Sequence, residues 1–196
     1  FPYRRLEVEA IRDAMLSVSG QLNRTLYGPC MYPHIPDNAR RSGYNPKSVW
    51  KAFDERSASR RTIYAYVKRT LIVPFLDTLD FCDTTRSTDR RATTIVAPQA
   101  LELLNGEFVN RQARHFAARL QREAGPDIDA QLLLGHRLAV GRPPSAEEHA
   151  TLRSYCDVER RELISTQNMG EDQAGRAAMV RMCRILLNLN EFVYVD

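Results

Sequence analysis

The sequence predicts a mainly α fold: an irregular helical domain with a long Pro/Gly-rich loop, a C-terminal helical array and at most one short strand pair. Apolar residues recur at helical spacing near the start of the chain and through its second half. Gly and Pro residues concentrate instead between residues 23 and 61. The 196 residues are 43% hydrophobic and 27% charged, an ordinary globular composition that can build one sizeable core or two small ones.

These patterns divide the chain, and we predict one domain over residues 1–196 with three regions. The first helix lies within residues 1–22, an irregular loop-rich region covers 23–97, and the helical array covers 98–196. The chain opens at FPYRRLEVEAIRDAML, already inside a helical pattern and without an initial Met. We therefore expect it to be a fragment of a longer protein.

The loop-rich region begins with NRTLYGPCMYPHIPDNARRSGYNP, in which Gly and Pro residues exclude long regular elements. Its aromatic residues, which include Tyr27, Tyr44 and Trp50, can anchor the loop to the body of the domain. Two interpretations stay open: the loop lines a cleft, or it is a connection that covers apolar surface.

Two short elements are predicted after this loop. RTIYAYVKR, residues 61–69, alternates Ile63, Ala65 and Val67 with polar or aromatic residues, which is typical of a strand, with a helix as the alternative. VPFLDTLDF, residues 73–81, predicts a short helix that begins at Pro74.

The helical array should start at Pro98, with Ala97 as an N-cap residue that has no capping side chain. One apolar face continues across Gly106, so we predict one continuous or slightly bent helix that ends at Gly125, with Gly106 permitting close helix–helix packing. The residues of this face are Leu101, Leu104, Phe108, Ala113, Phe116, Ala117 and Leu120.

The later helices have clear end signals. Asp127 is an N-cap candidate for a helix that stops at Gly141, and SAEE at 145–148 fits a capping box for a helix to about residue 164. A polar linker leads to the last helix, which carries Cys183 among apolar neighbours, so a buried thiol is expected there.

Charge and cysteine content narrow the function classes. The chain has 25 Arg and 3 Lys, but 24 acidic residues are interspersed with them, which argues against nucleic-acid binding. No apolar run is long enough to span a membrane. The four cysteines, Cys30, Cys82, Cys156 and Cys183, permit two disulfides in three pairings and have no metal-ligand spacing, so no metal site is predicted.

The segment RRATTIVAP, at the entrance of the helix that follows Pro98, is the main candidate site. A free helix N-terminus beside cationic and hydroxyl side chains attracts an anion, although the same groups can simply fix the loop. The candidate anion-binding residues are Arg86, Arg90, Arg91, Thr93 and Thr94. Secondary candidates are His34 in the irregular loop and the charged residues Lys68, Arg69 and Asp80, whereas no catalytic residue can be assigned.

The segment RRTIYAYVKRTLIVPFLDTLDFCDTTRSTDRRATTIVAPQALELLNGEFVNRQARHFAARL resembles the planctomycete-specific C-terminal domain of unknown function. RRLEVEAIRDAMLSVSGQLNR, GRPPSAEEHATL and CRILLNLNEFVYVD extend the resemblance over nearly the whole chain. The resemblance implies an exported or cell-envelope protein with a preceding planctomycete-specific domain and, often, a planctomycete-type cytochrome c domain. Haem c would then belong to the parent chain, because no haem motif and no other cofactor motif occurs here. Ala97 stands where the family often has Thr.

The resemblance implies no established activity, so the function rests on the residues. Strong helical patterning without a catalytic signature predicts a non-catalytic module that packs on a preceding domain or a protein partner. The alternative is part of a redox or carbohydrate-directed enzyme site that a preceding domain completes. Its motivation is a polar cluster beside the irregular loop, which consists of Lys68, Arg69, Asp80, Arg86, Arg90, Arg91 and Thr94.

Overall fold

The computed structural model describes residues 4–36, 50, 54–69 and 71–195, and its fold is mainly α, as predicted. The first half contains β1 (Arg4–Arg5), α1 (Val8–Val18), α2 (Glu55–Ala58), a 3-10 turn (Thr62–Tyr64) and α3 (Pro74–Thr78). The second half contains α4 (Ala97–Asn105), α5 (Glu107–Ala124), α6 (Ile128–Val140), α7 (Ala146–Gln167), α8 (Glu171–Leu186), α9 (Asn190–Val193) and β2 (Tyr194–Val195). Residues 37–49 and 51–53 of the predicted loop, with Tyr44, lie outside the described part.

One large hydrophobic core joins the two halves. It forms where α1 and α3 pack against α5, α6 and α8, and where the short α9 closes the C-terminal end. Its fully buried members include Ile11, Met15, Leu76, Phe116, Leu120, Leu132, Met182 and Leu186. A small second cluster, Leu163, Ala174 and Ala178, lies between α7 and α8. β1 pairs antiparallel with β2, Arg4 opposite Val195, so the predicted upper limit of one short strand pair is confirmed for the described residues.

The predicted start and end of α6 and the predicted start of α7 are confirmed, whereas α7 ends at Gln167, three residues beyond the predicted end. The Asp127 carboxylate accepts from the Asp129 backbone N–H at 3.1 Å, and Gly141 ends α6 in the left-handed conformation, with φ 83°. Ser145 Oγ accepts from the Glu148 N–H at 3.1 Å, and the Glu148 carboxylate accepts from the Ser145 N–H at 2.6 Å. These contacts form within one turn of the chain, which is why sequence spacing alone predicted them.

The prediction of one continuous helix through Gly106 is wrong, because the backbone turns there with φ −56° and ψ 139°. Gly106 ends α4, where its N–H donates to the Glu102 carbonyl at 2.8 Å, and it also precedes the first residue of α5. A Cβ at this position would lie 2.3 Å from the Glu102 carbonyl oxygen. The glycine is therefore needed for close approach to its own chain, not to a neighbouring helix.

The predicted strand over residues 61–69 is also wrong. Residues 62–64 form a 3-10 turn, and within the described part of the chain the segment makes isolated bridges, between Ala65 and Met31 and between Lys68 and Leu71. Asp13 on α1 accepts from the Thr62 N–H at 2.7 Å and from the Thr62 hydroxyl at 2.6 Å. This tertiary contact ties the segment to α1, and a period-two sequence pattern does not reveal it.

Candidate functional site

The predicted candidate residues Asp80 and Thr94 lie together at the entrance of α4. The Thr94 backbone N–H and hydroxyl donate to the Asp80 carboxylate at 2.7 and 2.8 Å. The Arg5 guanidinium donates to the same carboxylate at 2.5 Å and to Gln99 Oε1 at 2.7 Å. Gln99 Nε2 donates to Asp80 at 3.1 Å, so the four side chains form one connected network.

This network surrounds the start of α4. The N-cap residue is Val96 rather than the predicted Ala97, which moves into the helix, and Gln99 Oε1 accepts from the Val96 N–H at 3.3 Å. Burial acts to raise the pKa of Asp80, but hydrogen bonds from Thr94 and Arg5 outweigh it and lower the pKa overall. The carboxylate of Asp80, a residue of the same chain, therefore lies beside the N-terminus of α4, where the sequence predicted a bound anion from outside the chain.

Arg91 fixes the incoming loop to α1. Its guanidinium donates to both carboxylate oxygens of Glu9, at 2.7 and 3.0 Å, and lies 3.7 Å from Glu7. The hydrogen bonds from Arg91 to Glu9 raise the pKa of Arg91, although its partial burial acts in the opposite direction. A bidentate pair of this kind holds the segment before α4 in a fixed position.

The other predicted residues are more scattered. Arg86 is exposed and lies 3.8 Å from Asp83. Hydrogen bonds from Thr85 lower the pKa of Asp83, and Arg86 and Arg69 have smaller effects in the same direction. Arg90 and Thr93 are at the surface. Lys68 contributes its backbone to the bridge with Leu71. Binding of an external anion by these residues stays a prediction.

His34, the candidate from the irregular loop, lines a cleft of about 110 Å³ between the five helices α1 to α5. We name this the His34 cleft. Its polar lining consists of Arg12, His34, Glu55, Ser59, Glu102, Glu107, Arg111 and Gln112, and its apolar lining of Leu16, Pro33, Pro36, Ala58, Val73, Pro74, Phe75 and Phe108. A concave, largely apolar site with several converging polar groups has the general form of a binding site.

The charges in the His34 cleft have unequal surroundings. Arg12 is 4% exposed and donates to the carbonyls of Ala58 and Arg60, and its burial lowers the pKa to about 10. Glu107 lies 3.6 Å from Arg111 and 3.5 Å from His34. Burial raises the pKa of Glu102, which has no hydrogen bond or ion pair among the described residues.

Of the charged and titratable residues that line the cleft, only His34 was a candidate from the sequence. The sequence does contain an indication that Arg12 is unusual. Arg12 lies four residues from both Val8 and Leu16, on the buried face of α1, where a charged residue is unexpected. Glu107 and Arg111 have the spacing of an ordinary surface pair on a helix. Glu102 gave no signal, because its environment depends on the turn at Gly106.

Within the described residues, no group of three or more His, Cys, Asp or Glu side chains is arranged to hold a metal ion. All four cysteines are free thiols, and Cys183 is buried, as predicted. None of the described helices is both long and apolar enough to cross a membrane.

The domain is a mainly α module, and the His34 cleft is a small, charged and partly apolar cleft in it. Residues 1–156 match the family model PSD1, described as a protein of unknown function (DUF1553). The match covers most of the sequence, and the chain belongs to this family. No curated protein and no solved structure shows significant similarity to the chain.

Proposed function

We propose that the domain is a non-catalytic module that packs on a neighbouring domain or a protein partner through the outer face of α4. The observation that carries this proposal is the exposure of apolar side chains at α4, where Gln99 is buried and Leu103 packs on the core. Leu101 is 58% and Leu104 44% exposed on the helix, and Ile95 is 84% and Val96 48% exposed in the two residues before it. We name these four residues the α4 face.

The energetics favour covering this face. Burying one Leu or Ile side chain contributes about 1.5–3 kcal/mol, so covering the α4 face yields several kcal/mol before the cost of association. Leu101 and Leu104 are three residues apart, which places them side by side on the helix. The networks of Asp80 and Arg91 hold the entrance of α4 in place, so little ordering is needed on docking.

The proposal includes the cellular location of the domain and its place in the parent protein. The resemblance to the planctomycete-specific domain supports an exported or envelope protein in which a preceding domain covers the α4 face. Any haem c would lie in that preceding part of the parent chain. An enzyme site completed by the preceding domain remains the second proposal, with less support, because Asp80, Arg91 and Thr94 already have hydrogen-bonding partners within the chain.

Site-specific photocrosslinking in the native host tests the docking proposal. A photoreactive residue replaces Leu101 in one variant and Leu133 in the control, because Leu133 is similarly exposed but lies on α6. We expect position 101 to crosslink to one contiguous surface outside residues 1–196, mapped by mass spectrometry. Equal and scattered crosslinking from both positions would contradict the proposal.

A further inference from the structure

Glu102 lies at the edge of the α4 face. A helix advances 100° per residue, so Glu102 is located between the exposed Leu101 and the inward-facing Leu103. Its side chain turns toward the backbone of Gly106 and lines the His34 cleft. The carboxylate is therefore within reach of any segment that covers Leu101.

The other acidic groups around the cleft have cationic partners. Glu55 lies 4.0 Å from Arg111, Glu107 lies 3.6 Å from Arg111, and Asp13 lies 3.4 Å from Arg61. Glu102 has no such partner among the described residues, although its carboxyl group is partly removed from water. A partly buried carboxylate without a partner destabilises the folded state unless a cation or a proton neutralises its charge.

The local field also favours a cation. Among the described residues that line the cleft, with the histidines counted as neutral, the carboxylates of Glu55, Glu102 and Glu107 outnumber the guanidinium groups of Arg12 and Arg111. Arg12 directs its guanidinium to backbone carbonyls, so it does not neutralise Glu102. The net charge of these described residues is negative, which attracts a cationic group and repels an anionic one.

The shape of the cleft limits the size of that cation. A volume of about 110 Å³ is below the ~300–1,000 Å³ of sites for whole small molecules, but it accommodates the end of one long side chain. Phe75 and Phe108, with ring centroids 5.0 Å apart, belong to its apolar wall and can pack against a methylene stem.

We propose that the His34 cleft receives a Lys or Arg side chain from the segment that covers the α4 face, with Glu102 as its counter-ion. This inference rests on the proposed function, because the covering segment supplies the cation. It adds the chemistry of the partner: an apolar segment with one basic residue beside it. Leu101 and Leu104 would contribute apolar contact area, and Glu102 would select a basic residue at one position.

The cleft can be tested without the partner by using side-chain analogues. NMR titrations of the purified chain would use n-butylammonium as the lysine analogue, n-butanol as its neutral counterpart and butyrate as the anion. We expect n-butylammonium to shift the resonances of Glu102 and Phe108 with a Kd on the order of 1–10 mM, as is usual for so small a ligand. The other two probes should leave them unchanged.

Two variants make the titration specific. Glu102→Gln should weaken n-butylammonium binding at least tenfold and should still fold, because it removes an unpaired charge. Glu123→Gln is the matched control, because Glu123 pairs with Arg119 at the far end of α5 and should not affect binding. Equal shifts with n-butanol, or unchanged binding in Glu102→Gln, would overturn the inference.

The two proposals fail in distinguishable ways. If crosslinks from position 101 appear but n-butylammonium does not bind, the cleft inference is overturned and the docking function stands. If n-butylammonium binds through Glu102 but position 101 gives no specific crosslink, the docking function is overturned, and with it the partner as the source of the cation.

Discussion

Arg5 and Asp80 join segments 75 residues apart: the Arg5 guanidinium donates to the Asp80 carboxylate at 2.5 Å, and their side chains are 6% and 18% exposed. Arg5 belongs to β1, Asp80 follows α3, and both contact Gln99 of α4. The pair therefore holds β1, the end of α3 and the start of α4 in a fixed relative orientation, because hydrogen bonds are more directional than hydrophobic contacts. Removing one partner should be costly, because the remaining charge would have neither its counter-ion nor full access to water.

Removing the Asp80 carboxylate should destabilise the domain. We expect Asp80→Asn to lower the free energy of unfolding by roughly 2–3 kcal/mol, because Arg5 is left buried without its counter-ion. Urea unfolding followed by circular dichroism would measure this change. Asp83→Asn is the control, since the ion pair of Asp83 with Arg86 is exposed and the Asn oxygen can still accept from Thr85, so the effect should be small. Equal losses in both variants would contradict the role of Asp80.

The two glycines Gly106 and Gly175 should respond oppositely to alanine. Gly106→Ala should cost about 1–3 kcal/mol, because the added Cβ collides with the Glu102 carbonyl. Gly175 lies inside α8, and a Cβ there meets nothing within 4 Å, so Gly175→Ala should stabilise by about 0.5–1 kcal/mol. Thermal unfolding of both variants checks the sign. A stabilised Gly106→Ala would support the continuous helix that the sequence predicted.

The four thiols should react at very different rates. Cys30 is exposed, Cys156 and Cys183 are buried, and burial raises the pKa of Cys156 to about 12 and that of Cys183 further still. Ellman's reagent at pH 8 should modify Cys30 first, and the two buried thiols at least about 10³-fold more slowly, since the thiolate is the reactive species. Rapid modification of Cys183 in the native protein would contradict the described packing.

Glu148 should make the stability of the domain depend on acid. Hydrogen bonds from Arg142, followed by that from the Ser145 N–H, lower the pKa of Glu148 well below its ordinary value of 4.5. As the pH falls, Glu148 is therefore protonated in the unfolded chain before it is protonated in the folded domain. The stabilisation of the folded domain by ionised Glu148 is present above pH 4.5 and is lost as the pH falls.

Melting curves between pH 7 and pH 2 check this expectation. The Tm of Glu148→Gln should be below that of the wild type at pH 7, and the difference should shrink in acid. Glu147→Gln, in the same first turn of α7 but without such contacts, should melt close to the wild type at every pH. A difference that grows on acidification would show that the sign is wrong.

The features that the sequence predicted are those decided within a few residues. The caps at Asp127 and Ser145 and the stop at Gly141 are local, and each is present as expected. The break at Gly106 was missed because an apolar face was counted across it, whereas Leu101 and Leu104 of that face are exposed. Periodicity identifies a helix but does not show what covers each of its faces.

The candidate site was less predictable for the same reason. Asp80 and Thr94 were recognised as polar groups near a helix entrance, but their partner Arg5 comes from the other end of the chain. His34 was identified without the cleft that it lines, because Arg12, Glu102 and Arg111 come from three different helices. Only the tertiary fold brings these residues together.

The pairing of β1 with β2 places Arg4 opposite Val195, so two distant positions of the chain leave the domain at the same point. A short linker from residue 195 to residue 4 would join them without disturbing the helices, and new termini would fit the exposed turn between α6 and α7. The domain should therefore tolerate circular permutation. If residues 4 and 195 were pulled in opposite directions, the hydrogen bonds between β1 and β2 would break one after another before the force acted on the helical core.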